Sequence, residues 1–380
     1  MSKNIKFNFL NTDEEERYQK QLTLKEVGYE GQLDLKNSSV LCVGAGGLGS
    51  SVLLYLAATG IGKIGIVDND YVEKSNLQRQ IIHETNTIGN LKIDSARERI
   101  YKFNPMSKLL TFAERINPNN VLEIIREFDI ICDCSDNFGT RYLINDACLI
   151  LNKPLVFGSV QGFEGQISVF NLNKNSPNLR DLLPESPAKN NIPSCQEFGV
   201  IGVTTGLIGV LQVNEIIKII LKKGEILDGK VMIFNLLNMN IKKLNLQADQ
   251  FNKKIKDLSQ FQDFYKDIEC QDNLKIEKIN AKEFESLYKT KFKNILLIDV
   301  RENEEFKKSS VKGAISVPVT TLEQKSQLEF IKQKSLDKEV ITLCQVGKRS
   351  EKASKILMKF KIPSKSIEAG ITSINQIIFN

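Results

Sequence analysis

The sequence predicts an α/β protein: a mainly parallel sheet with helices on both faces, followed by a smaller α/β domain. Three observations predict it. Over the first 245 residues or so, short β-branched runs alternate with longer helical patterns, the signature of strands joined by helical crossovers. A glycine-rich turn, GAGGLG, separates the first such run from the first helical one. From about Asn273 a second, shorter alternation begins, and it does not repeat the first.

Taken in order, SSVLCVG, KIGIVD, FDIICDCSD and PLVFGSV are the strand candidates, and SSVLLYLAATG and GNLKIDSARERIYKFN are helical segments between them. Val40 to Gly62 carries no charge over 23 residues, long enough for a membrane span, but six glycines interrupt it. That pattern reads as strand, turn and buried helix, so no membrane partner is expected. From Asn171 to Glu197 the chain turns polar and rich in proline and asparagine, which predicts a long mobile loop. VTTGLIGVLQVNEIIKIILKKG resumes as an apolar helix stopped by lysines and a glycine. The organisation is therefore a first domain over 1–247, a polar linker over 248–272 in which FQDFYKDI can form a short helix, and a second domain over 273–380. Its strand candidates are NILLIDV, AISVPV and EVITLC.

Composition narrows the class. Hydrophobic residues make up 41% and charged residues 26% of 380, ordinary for a globular protein with a real core. The net charge of 52 − 46 = +6 is small and its lysines are scattered, so no nucleic-acid partner is expected. The opening MSKNIKFNFLNTDEEERYQK lacks the apolar core of a signal peptide, and the seven cysteines form no disulfide framework. Both point to a cytoplasmic, reducing location where cysteines stay thiols.

VLCVGAGGLGSS matches G-x-G-x-x-G directly after a strand and at the start of a helix. Gly44, Gly46, Gly47 and Gly49 let backbone amides approach phosphates at the helix N-terminus, as in Rossmann-like sites. Asp68, 19 residues past Gly49, ends the next strand, where a carboxylate can accept from ribose hydroxyls. This much also fits a nicotinamide-dependent oxidoreductase. Asn76, Gln78 and Arg79 follow that strand, Lys92 opens the next helix, and Asp136 and Asn137 stand at another strand end. Hydride transfer has no need of that set. Nucleotidyl transfer does, because Arg and Lys neutralise phosphate charge and a carboxylate holds Mg²⁺.

RYQKQLTLKEVGYEGQLDL, VGAGGLGSSVLLYLAATGIG, SNLQRQ, SDNFGTRYLIND, GFEGQISVF and CQEFGVIGVTTGLIGVLQVNE resemble the MoeB/ThiF family, adenylyltransferases related to ubiquitin-activating enzymes, over roughly residues 10–245. The resemblance implies ATP and Mg²⁺ as cofactors and a homodimer. It also implies a small ubiquitin-like sulfur carrier ending in Gly-Gly, MoaD- or ThiS-like, as the partner whose terminal glycine is adenylated. Gly47, Asp68, Asn76, Arg79, Lys92, Asp136 and Asn137 would then bind ATP, with Arg79 and Lys92 stabilising charge at the α-phosphate and Asp136 holding Mg²⁺. Lys20 stands where the family usually has an arginine that the partner subunit contributes to ATP; it keeps the charge without the fork. The family's two zinc-binding Cys-x-x-Cys pairs are missing: Asn178 and Asp181 occupy the first positions and Cys270 stands alone, so no zinc site is expected.

Thiols divide by context. Cys42, Cys132, Cys134 and Cys148 lie in apolar runs and read as core residues, and His83 reads as a packed or hydrogen-bonded histidine. Cys195 lies in the polar loop NIPSCQEFG, where the family's matching cysteine can link covalently to the carrier or sulfur donor. LLIDVRENEEFKKSSVKGAISVP and VITLCQVGKRSEKASKIL resemble a rhodanese domain over about 273–380. In it Cys344 ends a strand and starts a short loop before a helix, and the helix dipole with Lys348 and Arg349 favours thiolate or persulfide. Ser310 stands where many rhodaneses have histidine, and the usual tryptophan after the last glycine motif is absent. Together these imply an adenylyltransferase with sulfurtransferase activity in molybdopterin or thiamin biosynthesis. Cys344 is loaded by a persulfide donor such as a cysteine desulfurase, and Cys195 completes the exchange. A non-catalytic carrier-binding scaffold, or an oxidoreductase fused to a rhodanese, is the alternative.

Overall fold

The computed structural model describes residues 7–184, 199–262, 264–265, 276–322, 324–336, 338–360 and 362–374. The chain divides into two compact units, Met1–Ile268 and Glu269–Asn380.

In the first unit, helices α1 (Thr12–Arg17), α2 (Gln19–Leu22) and α3 (Gly28–Asn37) precede strand β1 (Ser39–Val43). Then follow α4 (Gly47–Thr59), β2 (Lys63–Val67), α5 (Lys92–Phe103), β3 (Lys108–Phe112), α6 (Val121–Arg126), β4 (Ile130–Asp133), α7 (Phe138–Leu151), β5 (Leu155–Gln161) and β6 (Glu164–Phe170). Helices α8 (Leu179–Leu182) and α9 (Gly202–Leu221) and strands β7 (Lys230–Asn235) and β8 (Asn240–Asn245) complete it. The sheet order is β3-β2-β1-β4-β5-β6-β7-β8. Strands β3 to β5 in that order run parallel, and β6, β7 and β8 are antiparallel to their neighbours.

The mainly parallel sheet with helices on both faces is therefore as the sequence predicts, and its antiparallel third has a local cause. Parallel neighbours need a long crossover, whereas the two-residue turn at Gly162, with φ of 57°, can only fold β6 back along β5. The alternation of β1 shows how the layers form. Val40 and Cys42 pack on one side with α4, α5 and α9, while Leu41 and Val43 pack on the other with α6 and α7. Among the described residues α9 alone is long and apolar enough to cross a membrane, but Ile208, Val213 and Ile216 of α9 lie in this core, and its buried Gln212 donates to the carbonyls of Asp133 and Val156.

Two expectations change. Residues 171–184 are not a loose loop: Ser176, Asn178, Leu179 and Arg180 are buried. The expected linker also belongs largely to the first unit, because Leu258 and Tyr265 pack into the core beside α7. Arg180 explains both. Its guanidinium donates to Asp146 at 2.6 and 2.9 Å and stacks on the rings of Phe261, Phe264 and Tyr142, while Tyr265 donates its hydroxyl to the same carboxylate. Asp181 accepts from the amide of Asp249 and from Asn252. An arginine–aromatic clamp thus ties this segment down at the positions flanking Asn178 and Asp181.

The second unit holds β9 (Glu277–Ile279), α10 (Ala281–Lys291), β10 (Ile295–Asp299), α11 (Asn303–Lys308), β11 (Ile315–Ser316), α12 (Lys325–Lys334), β12 (Glu339–Leu343), α13 (Lys348–Lys359) and β13 (Ser364–Ile367). Its sheet, β11-β10-β12-β13-β9, is wholly parallel. Apolar clusters cover both faces, with Leu296, Ile298 and Val340 in one and Ile295, Leu297, Ile341 and Leu343 in the other, and such apolar runs are what made β10 and β12 legible as strands.

Candidate functional site

In the first unit the chemistry gathers where β1, β2 and β4 end. Gly44 adopts φ of 102°, and a Cβ on it would come within 2.8 Å of the Cys134 carbonyl. A Cβ on Gly49 would sit 2.0 Å from the Gly44 carbonyl, and one on Gly47 2.9 Å from Thr205 of α9. The turn is therefore closed to a side chain at Gly44, Gly47 and Gly49, and Gly46, which caps α4, supplies no side-chain acceptor to its first amides. Helix-start amides without such a partner suit an anion.

The Ala45 peptide is clamped at both ends. Its amide donates to Asp68 at 2.8 Å, and its carbonyl lies 3.0 Å from His83 Nε2. A carbonyl only accepts, so that nitrogen carries the proton, and Nδ1 faces Ser95 Oγ at 2.9 Å. Burial pushes the His83 pKa down, which keeps the ring neutral; the packed, hydrogen-bonded reading of this histidine holds. Asp68 also accepts from the Asp70 amide at 2.8 Å, and burial raises its pKa while the nearby Lys92 charge opposes that rise.

Lys92 is buried at the start of α5 and pairs with Asp70 at 2.9 Å. Arg79 is half-buried; its guanidinium donates to the Ser75 carbonyl, and its backbone lies against Gly202 at the head of α9. Asn76 accepts from the Glu73 amide, Gln78 is exposed beside Arg79, and Asn137 caps α7 by accepting from Thr140. Asp136 is exposed, and no hydrogen bond or ion pair engages it among the described residues. A hard carboxylate of that kind suits Mg²⁺, which is usually held by one or two carboxylates and the substrate's phosphates. Among the described residues no three His, Cys, Asp or Glu side chains cluster as a metal cage.

Lys20 is the exception. It is exposed two residues past Tyr18, whose ring packs on Gly60 at the far end of α4, roughly 20 Å along that helix from the glycine turn. The fold does not bring it to its own chain's cradle. Cys195 and Cys270 lie outside the described residues. Cys42, Cys132, Cys134 and Cys148 are buried thiols whose pKa values are raised, Cys42's chiefly by its contact with Cys134 and the others' by burial.

Sequence reasoning missed Asp70, Gln80, Arg141 and Gln212. Asp70 reads as a solvated loop residue, although its place two residues past Asp68 was the available signal. Gln80 is buried with its Nε2 facing Gly46. Arg141 is buried, donates to the Ser135 carbonyl at 2.8 Å and lies over Phe157; its charge opposes the burial that raises the Asp133 pKa.

In the second unit Cys344 is fully buried at the end of β12. Its Sγ accepts from the Gly347 amide at 3.1 Å and its S–H donates to the Ser350 hydroxyl oxygen at 3.5 Å, an oxygen that also accepts from Ser366. Gly347, with φ of 89°, turns that amide inward and caps α13. The Cys344 carbonyl accepts from Ile371, stapling the loop to the last glycine motif. Gly370 allows that approach, since a Cβ there would meet the carbonyl at 2.2 Å. Arg349 departs from expectation. It forms a two-pronged pair with Glu305, at 2.6 and 2.8 Å, so its charge is already matched beside the sulfur. The Glu305 carboxyl is held down at about 2, first by that bond.

Comparison with known proteins follows this division. The ThiF family model matches residues 18–255 and the rhodanese-like domain model residues 280–376. A probable molybdopterin-synthase adenylyltransferase of Porphyra purpurea is 40% identical over 375 residues, spanning 97% of this chain and 94% of that one. An adenylyltransferase and sulfurtransferase of Culex quinquefasciatus, MOCS3, is 37% identical, covering 90% of this chain and 82% of its own. A probable adenylyltransferase/sulfurtransferase of Mycobacterium tuberculosis, MoeZ, is 36% identical over 90% of this chain and 88% of its own. Among solved structures, Escherichia coli MccB with the MccA-N7isoASN peptide shares the fold, with a TM-score of 0.56 and 22% identity over 63% of this chain and 74% of that one.

Proposed function

The chain belongs to the ThiF family and carries a rhodanese-like domain behind it, and from that premise we propose how its residues divide one reaction. It is an adenylyltransferase with a sulfurtransferase domain; it activates a sulfur carrier and supplies sulfur to it. The observation that carries the assignment of roles is the convergence of the glycine turn, Asp68, Arg79, Lys92 and Asp136 at one edge of a parallel sheet. A buried thiol, Cys344, whose sulfur accepts from the Gly347 amide, lies in the same chain.

In this reading the amides of the glycine turn and Asn76, Gln78 and Asn137 orient ATP, and Asp68 accepts from its ribose. The carboxylate of the carrier's terminal glycine attacks the α-phosphorus and pyrophosphate leaves with the bonding electrons. Arg79 and Lys92 stabilise the added negative charge. Asp136 is the residue that would hold Mg²⁺, which supplies charge neutralisation on the phosphates. A persulfide on Cys344 then attacks the acyl carbon and AMP leaves. Attack of the Cys195 thiolate on the Cys344 sulfur of the acyl-disulfide frees the thiocarboxylate and leaves a Cys195–Cys344 disulfide, which a cellular dithiol reduces. The names of the relatives favour a molybdopterin-synthase carrier over a thiamin one. A homodimer, with Lys20 offered to the neighbouring cradle, a cysteine-desulfurase donor and a cytoplasmic location complete the proposal.

Pyrophosphate exchange with a MoaD-like carrier tests the first half. Cys344→Ser should keep exchange and abolish thiocarboxylate; loss of exchange in that variant would overturn the division of labour.

A further inference from the structure

The described ionic groups around Cys344 come as closed pairs. Arg349, in the first turn of α13, gives both guanidinium prongs to Glu305 of α11. Arg301 gives its own to the buried Asp299 at 2.7 to 3.1 Å and reaches Gln345 with its remaining prong. Among the described residues the sulfur meets neutral groups, accepting from the Gly347 amide and donating to the Ser350 hydroxyl. Glu305 and Arg349 are 36% and 35% exposed, so their pair is open to solvent. Arg349 lies in the chain between Gly347 and Ser350, the two residues that bond to the sulfur.

A small anionic sulfur donor such as thiosulfate carries two negative charges toward a thiolate. It gains from an unmatched cation beside the sulfur, and two oxygens of its tetrahedral sulfonate would take the guanidinium fork. Glu305 already fills that fork and adds a charge of the wrong sign. We propose that Glu305 is a specificity-determining residue that makes the domain reject small anionic sulfur donors and accept sulfur from a protein persulfide. A protein donor brings at most one charge at its terminal sulfur and is positioned by its own surface, so it does without Arg349.

Both routes balance without an oxidant. The Cys344 thiolate attacks the outer sulfur, the S–S bond breaks, and sulfite or the donor's thiolate leaves with the electron pair, giving the same persulfide. The inference rests on the sulfurtransferase reading above, and the test separates the two.

The full chain with Glu305→Gln is compared with the unaltered protein. Glutamine keeps the oxygen that accepts from the Glu302 amide at the head of α11, so the helix cap survives. Alkylation of Cys344 by anionic iodoacetate and by neutral iodoacetamide is followed on the Cys344 peptide by mass spectrometry. The iodoacetate-to-iodoacetamide rate ratio should rise about two- to fivefold, the range of an exposed ion pair, and the KM for thiosulfate with cyanide as acceptor should fall by a similar factor. Adding Arg349→Met to Glu305→Gln should return both to the starting values. An unchanged ratio in Glu305→Gln, or a gain that survives the loss of Arg349, overturns the proposal. A raised ratio with no persulfide formed from any donor upholds Glu305 as the gate and overturns the sulfurtransferase reading instead.

Discussion

At the scale of single residues, His83 and Lys92 show how a bland sequence feature and a functional one part company. His83 is neutral because burial disfavours its charged form, and it holds the Ala45 carbonyl of the glycine turn. A histidine whose folded pKa is lowered contributes stability above its unfolded value of about 6.5, and that contribution is lost as pH falls below it. The urea midpoint of the first unit should therefore drop between about pH 7 and about pH 5, and His83→Gln, which keeps a donor but cannot titrate, should flatten that dependence. Lys92 is fixed by Asp70 through both its ammonium group and its backbone amide. Lys92→Ala should cut pyrophosphate exchange about a hundredfold or more, as expected when one donor to developing charge is lost. Asp70→Asn should cost exchange while leaving Cys344 alkylation unmoved. Lys92 was legible because a lysine opening a helix after SNLQRQ has few bland uses in that company. Asp70 was not, because its partner lies 22 residues away and only the fold joins them.

At the scale of elements, a glycine turn and an arginine clamp carry the argument. A methyl group at Gly49 would overlap the Gly44 carbonyl, which is backbone and cannot swing aside. Gly49→Ala should abolish pyrophosphate exchange while Cys344 still accepts sulfur. Arg180 and Asp146 are 3% and 0% exposed, and each is the other's charge partner. Arg180→Met leaves a buried carboxylate uncompensated and should destabilise the first unit by about 3–5 kcal/mol, measured by urea unfolding; pairing it with Asp146→Leu should recover much of that loss. The clamp escaped the sequence reading because Phe261, Phe264 and Tyr265 sit in a polar, lysine-rich stretch about 80 residues downstream of Arg180. A segment's composition does not reveal a ring stacked on a distant cation.

For the whole molecule, two units each have their own sheet and apolar layers. Runs of β-branched residues and the strand–glycine–helix junction are local properties, so the sequence alone was enough to predict the mainly parallel first sheet with its covering helices and a smaller α/β unit after it. It was also enough to single out the glycine turn, Asp68, Lys92, Asp136 and Cys344, because each stands where a strand ends or a helix begins, and Arg79 through its place in SNLQRQ. The tertiary structure alone decided three things. It drew the supposed linker onto Arg180. It kept Lys20 at the far end of α4 from its own chain's cradle. It matched the Arg349 charge with Glu305, 44 residues away in the chain. These depend on which groups meet across the fold, and charge pairing, stacking and close approach act through space, where sequence spacing carries no information.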